Sequence, residues 1–363
     1  MAAPLFLIGF MAAGKTSVGR AIASATGRRF LDLDDVIAAS GESVAALVAR
    51  DEPEFRRREA AALATVIAGA SDGPVIATGG GAAVFGDNLE RMRAAGLVVA
   101  LGVDVREAER RAQGGPPRPL LAAAATLASQ RAPVYRRAHA VVDTSGHSIA
   151  EVATAVQAVE RAWKRLPAAH RDATIVALGE RSYAVTTSAA LDPELVTGQL
   201  GSPSRIAVIT DHNVAAHHLP AVVAALAGWG DVETIAVEPG EASKSFATYE
   251  RLATELVDRG LDRGSAIVAL GGGVVGDLAG FVAATLYRGI PVVQIPTTIL
   301  AMTDAAIGGK TAVDLPAGKN LVGAFWQPRL VACATDLLAT LPARERRAGF
   351  GELWKYALLD GPE

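Results

Sequence analysis

The chain has 363 residues, 50% of them hydrophobic and 20% charged, with a formal net charge of -3. That balance supports one or two globular domains and excludes global disorder, and 35 basic against 38 acidic residues exclude the electrostatic footprint of a non-specific nucleic-acid binder. One cysteine, Cys333, and six histidines exclude an intramolecular disulfide framework and leave little material for a self-contained zinc module, which points to the reducing cytosol.

In chain order, the apolar start Pro4 to Ala13 has no basic segment before it and runs straight into Gly14-Lys15-Thr16, so it reads as a strand rather than a leader. Runs at Leu5 to Ile8, Val75 to Ala77 and Val98 to Leu101 look like buried parallel strands between alanine-rich helical segments, which is α/β grammar. Helical periodicity over Ile149 to Leu166 is interrupted by a proline and polar residues at 167–172 (PAAHRD), where a linker is expected between a first domain over 1–166 and a second over 173–363. The second series has strand patterns at Ala173 to Leu178, Arg205 to Thr210, Thr234 to Val237, Ala266 to Leu270 and Val292 to Ile295. Its most apolar stretch, Ser265 to Tyr287, carries Asp277 and several glycines and makes no credible membrane span.

Gly9 to Thr16 (GFMAAGKT) fits the P-loop pattern, after an apolar strand and before the helical stretch Ser17 to Ala25. Backbone amides around Gly9, Ala12, Ala13, Gly14 and Ser17 are expected to cradle phosphates, with Lys15 charging the terminal phosphates and Thr16 offering magnesium a hydroxyl. In Asp32-Leu33-Asp34, an extended segment puts both carboxylates on one face, one for a metal and one for a substrate proton; a helix-capping device is the alternative. Phe55-Arg56-Arg57-Arg58-Glu59 turns one or two arginines toward a common site, or is a solvated charge run.

Together with Thr78-Gly79-Gly80-Gly81, Arg118-Pro119-Leu120 and Arg131-Ala132-Pro133-Val134-Tyr135-Arg136, this set resembles shikimate kinase over residues 1–166. The resemblance implies ATP-dependent phosphorylation of shikimate, with Lys15 and Thr16 serving ATP and magnesium, Asp32 helping to hold the metal and Asp34 acting as base. It assigns Arg56 and Arg136 to the shikimate carboxylate, Glu59 to orienting Arg56, and Gly79, Gly80 and Gly81 to close backbone approach. Arg118 belongs on a mobile lid over ATP, and Arg110 stacks on adenine. The family often has further glycine where this chain has Ala12 and Ala13; alanine serves if its φ is negative.

In the second half, Gly271-Gly272-Gly273-Val274-Val275-Gly276-Asp277 is a glycine turn between a strand and a helical pattern, weak evidence alone for a Rossmann-like dinucleotide site. Its companions are Asp211-His212-Asn213, Pro239 to Lys244 (PGEASK), Arg288-Gly289, Pro296 to Asp304 (PTTILAMTD), Gly308 to Thr311 (GGKT), Gly318-Lys319-Asn320 and Gly351 to Lys355 (GELWK). The series resembles 3-dehydroquinate synthase, a family that uses NAD and zinc to convert 3-deoxy-arabino-heptulosonate 7-phosphate (DAHP) into 3-dehydroquinate. By that resemblance Asp211, Asn213, Glu241, Lys244, Gly272, Gly273, Val274, Asp277, Thr297, Thr298, Leu300 and Lys319 face NAD. Arg288, Asp304, Lys310, Asn320 and Lys355 face the phosphorylated substrate, Lys310 and Lys355 as catalytic groups, and Glu352 is a zinc ligand.

The family's other two zinc ligands are histidines in a C-terminal helical domain, whereas His139, His147, His170, His212, His217 and His218 all precede Glu352. Catalytic zinc normally takes three protein ligands, so an incomplete zinc site and a synthase half lacking its C-terminal domain are expected. Two functions stay open: a bifunctional shikimate-pathway enzyme, and an active kinase whose second half is a catalytically silent nucleotide-binding appendage serving assembly or regulation. The glycine turn is shared with NAD-dependent polyol dehydrogenases, but the Asp304, Gly308-Gly309-Lys310 and Gly318-Lys319-Asn320 series argues against them. No nucleic-acid or membrane partner is expected, and the oligomeric state is open.

Overall fold

Strands buried on both faces must be apolar along their whole length, and β1 (Leu5–Gly9) meets that condition with every residue buried. The computed structural model describes residues 2–39, 41–112, 124–229 and 232–360. By contacts the chain forms two units, Met1–Lys164 with Thr174–Ser182, and Arg165–Ala173 with Tyr183–Glu363.

The first unit is a parallel sheet in the order β2 (Phe30–Asp32), β3 (Val75–Ala77), β1, β4 (Leu97–Gly102) and β5 (Ala140–Asp143). Helix α1 (Lys15–Thr26) starts after Gly14, held at φ 92, and stops at Gly27, φ 67, whose N–H closes on the Ala23 carbonyl. The short helices α2 (Leu33–Ala38) and α3 (Val44–Arg50) lead to α4 (Glu52–Ala68), which Asp51 caps by accepting the Glu54 N–H. Helices α5 (Asn88–Ala95), α6 (Val105–Ala112), α7 (Ala124–Arg136) and α8 (Ile149–Lys164) follow. Phe6, Ile8, Leu33, Phe55, Leu63, Ile76 and Val98 form the core between sheet and helices.

Two local readings change. Asp32-Leu33-Asp34 is not one extended segment: the strand ends at Asp32, whose carboxylate accepts the Asp34 N–H and caps α2, so Asp34 lies in the first helical turn. The segment expected to begin the second series shortens to β6 (Thr174–Val176) and groups with the first unit, where the Ile175 N–H donates to the His139 carbonyl at 2.6 Å.

The second unit has β7 (Tyr183–Ser188), α9 (Pro193–Leu200), β8 (Ile206–Asp211), α10 (His212–Leu226), β9 (Val232–Val237), α11 (Phe246–Asp258), β10 (Ala266–Gly271), α12 (Gly273–Thr285) and β11 (Val292–Pro296). A hairpin of β12 (Lys310–Leu315) and β13 (Gly318–Phe325), then β14 (Leu330–Ala334) and α13 (Ala343–Asp360), complete it. Within this unit six sheet strands run in the order β7, β14, β11, β10, β8, β9, all parallel. Ile209, Ile235, Leu252, Leu256, Ile267, Leu278 and Phe281 fill the space between it and its helices. Both units are thus mixed α/β with parallel sheets. No described helix is long and apolar enough to cross a membrane.

Candidate functional sites

In open α/β sheets ligand sites gather beyond the carboxyl ends of the strands. In the first unit the segments after β1, β2, β3 and β5 line a cavity of about 940 Å³ together with Arg56, Glu59, Arg111 and Arg131. Ala12, Ala13, Gly14, Lys15, Thr16 and Ser17 form one wall, with the Lys15 ammonium donating to the carbonyls of Gly9 (2.9 Å) and Phe10 (2.8 Å). Thr16 donates its hydroxyl to Asp32 Oδ2 at 2.7 Å, so the two oxygens expected to serve magnesium are adjacent. That pair fits an ion that keeps most of its waters and takes few protein ligands.

Ala12 sits at φ 58, opposite to the negative φ under which alanine would fit the loop without strain. A left-handed non-glycine residue costs about 1–2 kcal/mol, offset in part by glycine's greater entropy when unfolded. Ala12→Gly is therefore expected to raise the melting temperature by a few degrees in a thermal unfolding scan; a fall would contradict the strain.

Deeper in the cavity, Asp34 Oδ1 and Glu59 Oε1 are buried without a hydrogen-bond partner. They converge: a methyl group on Gly79 would stand 2.3 Å from Glu59 Oε1 and 3.1 Å from Asp34 Oδ1, and one on Gly81 would stand 2.5 Å from the Arg56 guanidinium. A side chain at either glycine would have to push Glu59 or Arg56 out of its place in the cavity, which accounts for glycine in this turn after β3. Burial, and then the charge of Asp32, push the Asp34 carboxyl above its ordinary 3.8 against the pull of Lys15 and Arg56. Burial likewise raises Glu59, against Arg56. Arg56 spans Glu59 at 2.7 Å and Glu52 at 3.2 Å, each about one turn away on opposite sides along α4, while Arg57 and Arg58 pair with Glu54 on the exposed side.

Two expected arginines lie elsewhere. Arg136, the last residue of α7, is exposed and outside the cavity lining, whereas Arg131 is 9% exposed and lines it. Arg110 is exposed and pairs with Glu107, while its neighbour Arg111 lines the cavity and donates to Thr144 Oγ1 (3.0 Å) and O (2.7 Å). Helical turning of about 100° per residue decides both cases: Arg131 and Tyr135, four apart, share a face that Arg136 leaves. That spacing was the signal available in the sequence for Arg131. Arg118 lies outside the described residues.

In the second unit, the expected dinucleotide residues also follow strand ends. Gly272 caps α12 after β10, and Gly273 and Val274 open its first turn. Asp277 receives the ammonium of Lys244 at 2.5 Å, and Lys244 also bonds Asn320 Oδ1 from the start of β13. Lys244 is 3% exposed, so this ion pair is sheltered, and burial raises the Asp277 carboxyl against the pull of Lys244. Asn320 sits at φ 58, with its N–H on Asp314. Thr297 Oγ1, after β11, is buried without a hydrogen-bond partner, and Thr298 caps the Ala301 N–H at 3.1 Å. Asp211 spends its carboxylate on the N–H groups of Asn213 and Val214 as the cap of α10. Glu241 pairs with Lys319 at 3.4 Å, and Leu300 is exposed.

Of the residues expected at the phosphorylated substrate, Lys310 pairs with Asp304 at 3.0 Å, Arg288 is exposed at φ 68, and Lys355 pairs with Glu352 one turn away. Sequence reasoning missed the supports of the Gly308-Gly309 turn that precedes Lys310. Tyr183 accepts the Gly308 N–H at 2.9 Å, and Gln327 donates to the Gly308 carbonyl at 3.1 Å. Among the described residues no group of three or more His, Cys, Asp or Glu side chains is placed to hold a metal ion.

Residues 11–160 match the family model described as shikimate kinase, and residues 234–348 match that described as 3-dehydroquinate synthase N-terminal. A 3-dehydroquinate synthase of Caulobacter vibrioides is 54% identical over 188 residues, 51% of this chain and 51% of that protein. The chain spans about half the length of the curated relatives it matches. Among solved structures, shikimate kinase from Acinetobacter baumannii in complex with shikimate is 30% identical and covers 44% of this chain and 94% of that one, at a TM-score of 0.42. A 2-deoxy-scyllo-inosose synthase complexed with carbaglucose-6-phosphate, NAD+ and Co2+ is 30% identical over 50% of this chain and 51% of that one, at a TM-score of 0.47.

Proposed function

Since this chain joins a domain of the shikimate kinase family to a 3-dehydroquinate synthase N-terminal domain, we propose that its first unit transfers the terminal phosphoryl group of ATP to the 3-hydroxyl of shikimate. The observation that carries this reading is the convergence of Asp34 Oδ1 and Glu59 Oε1, both buried and unpartnered, in a cavity that also holds Arg56, Arg131 and the phosphate loop. Two oxygens that accept hydrogen bonds suit a polyol, and two guanidinium groups suit a carboxylate.

The loop amides and Lys15 receive the phosphates, and Thr16 with Asp32 holds their magnesium ion. The substrate hydroxyl oxygen attacks the terminal phosphorus, its proton passes to Asp34, and the bond from phosphorus to the ADP oxygen breaks. Catalysis is then mostly positioning and charge stabilisation. Arg131 replaces Arg136 as the partner of Arg56 on the carboxylate, and Arg111 replaces Arg110 beside the nucleotide. Calorimetric titration with shikimate tests the first replacement: Arg131→Ala is expected to weaken binding by about 10-fold to 100-fold, the worth of a lost bond between charged groups. Arg136→Ala should bind within about threefold of the parent, and the reverse ranking would restore Arg136.

For the second unit we infer an NAD site on the turn from Gly271 to Gly273 and a site for a phosphorylated keto acid around Lys310, Asn320 and Arg288. The conversion of DAHP to 3-dehydroquinate is proposed for the whole protein in which this domain works. The residues fit the dinucleotide: a side-chain-free helix start accepts a pyrophosphate, and Thr297 Oγ1 is an open hydrogen-bonding group beside it. They do not fit zinc. Glu352 is engaged by Lys355, and no cluster of donors accompanies it among the described residues.

A further inference from the structure

A guanidinium can pair with a planar carboxylate through two parallel bonds only if its own plane is held. Arg131 is buried on α7 with its guanidinium beside the glycine turn, where a methyl group on Gly80 would stand 3.6 Å from Arg131 Nη1, and one turn later on the same face stands the half-buried Tyr135. The phenol hydroxyl donates to the carbonyl of that same Gly80, in the turn that packs against Glu59, Asp34 and Arg56. A hydroxyl can donate one bond and accept others, so one oxygen ties the helix carrying Arg131 to the glycine turn. Tyr135 itself is not among the residues lining the cavity.

We propose that Tyr135 is a positioning residue: it locks the Arg131 guanidinium to the Gly79–Gly81 turn and thereby sets recognition of the substrate's carboxylate, without touching the reacting atoms. The inference rests on the kinase reading above, and turnover of shikimate by the parent chain is measured first, so that failure of that reading is seen separately.

The test is steady-state kinetics of the full chain carrying Tyr135→Phe, which keeps the ring and removes the hydroxyl. The expected result is a rise of about tenfold in KM for shikimate, the scale of losing one hydrogen bond that holds the arginine's helix to the turn, with kcat and KM for ATP within twofold of the parent. A purely structural defect would move KM for ATP and kcat as well. The link is read directly in an Arg131→Lys background, where the same change should add less than a twofold rise because the fork it orients is gone. Should Tyr135→Phe not fold, the neutral methyl ester of the substrate decides with Arg131→Lys alone: the variant should lose discrimination in favour of the acid over the ester. A fall in kcat at unchanged KM, equal effects of Tyr135→Phe in both backgrounds, or undiminished preference for the acid in Arg131→Lys would overturn the proposal.

Discussion

Lys15→Ala is expected to lower kcat for phosphoryl transfer by at least about 100-fold, the scale of losing one preorganised charge-stabilising donor, while leaving shikimate binding within a small factor. The ammonium lies against the Gly9 and Phe10 carbonyls at the head of the loop, where under the proposed kinase reading it would meet the phosphates rather than the acid. Rapid-quench measurement of ADP formation, paired with a shikimate titration, separates the two effects. Equal losses in both would mean that the loop itself had collapsed.

Asp34→Asn should lower kcat by about 10²-fold to 10⁴-fold, the range for a positioned general base. Burial and Asp32 raise the Asp34 carboxyl above 3.8, and a base must be ionised to take a proton, so activity falls as pH falls through that raised value. The acid limb of the pH profile should therefore have its midpoint above 3.8 and vanish from the residual activity of the asparagine variant. The stability linkage has the opposite sense. A carboxyl raised by folding contributes stability below its unfolded value and loses it as pH rises through the folded one, so at neutral pH the ionised Asp34 is held at a cost. Asp34→Asn is accordingly expected to melt no lower than the parent at pH 7 in calorimetry, a loss of rate without a loss of fold.

Much of this architecture is legible from local pattern. The strand run Leu5 to Ile8 followed by the glycine-lysine loop, and Ala266 to Leu270 followed by three glycines, appear as β1 into α1 and β10 into α12, because a buried parallel strand leaves a continuous apolar run and a phosphate turn needs small residues. Asp32-Leu33-Asp34 misled for a physical reason: two carboxylates two residues apart suit a strand face and a helix cap equally, and the cap prevailed. The arginines misled because Arg110 and Arg111, or Arg131 and Arg136, are told apart by their rotation and rise along a helix, which a motif does not specify. The unpartnered oxygens of Asp34 and Glu59 could not be foreseen either, since they come from different helices and meet only where Gly79 leaves room. Likewise, Lys244, Asp277 and Asn320 are far apart in sequence, and only folding makes them one cluster.

The most direct measurement is ADP release by the purified chain in the presence of ATP and magnesium, compared across shikimate, gluconate and nucleoside monophosphates as acceptors. The cavity, which brings the carboxylates of Asp34 and Glu59 together with the guanidinium groups of Arg56 and Arg131, predicts turnover with shikimate, product carrying phosphate on the 3-hydroxyl, and none with the nucleotides. Turnover of gluconate or a nucleoside monophosphate without turnover of shikimate would contradict it.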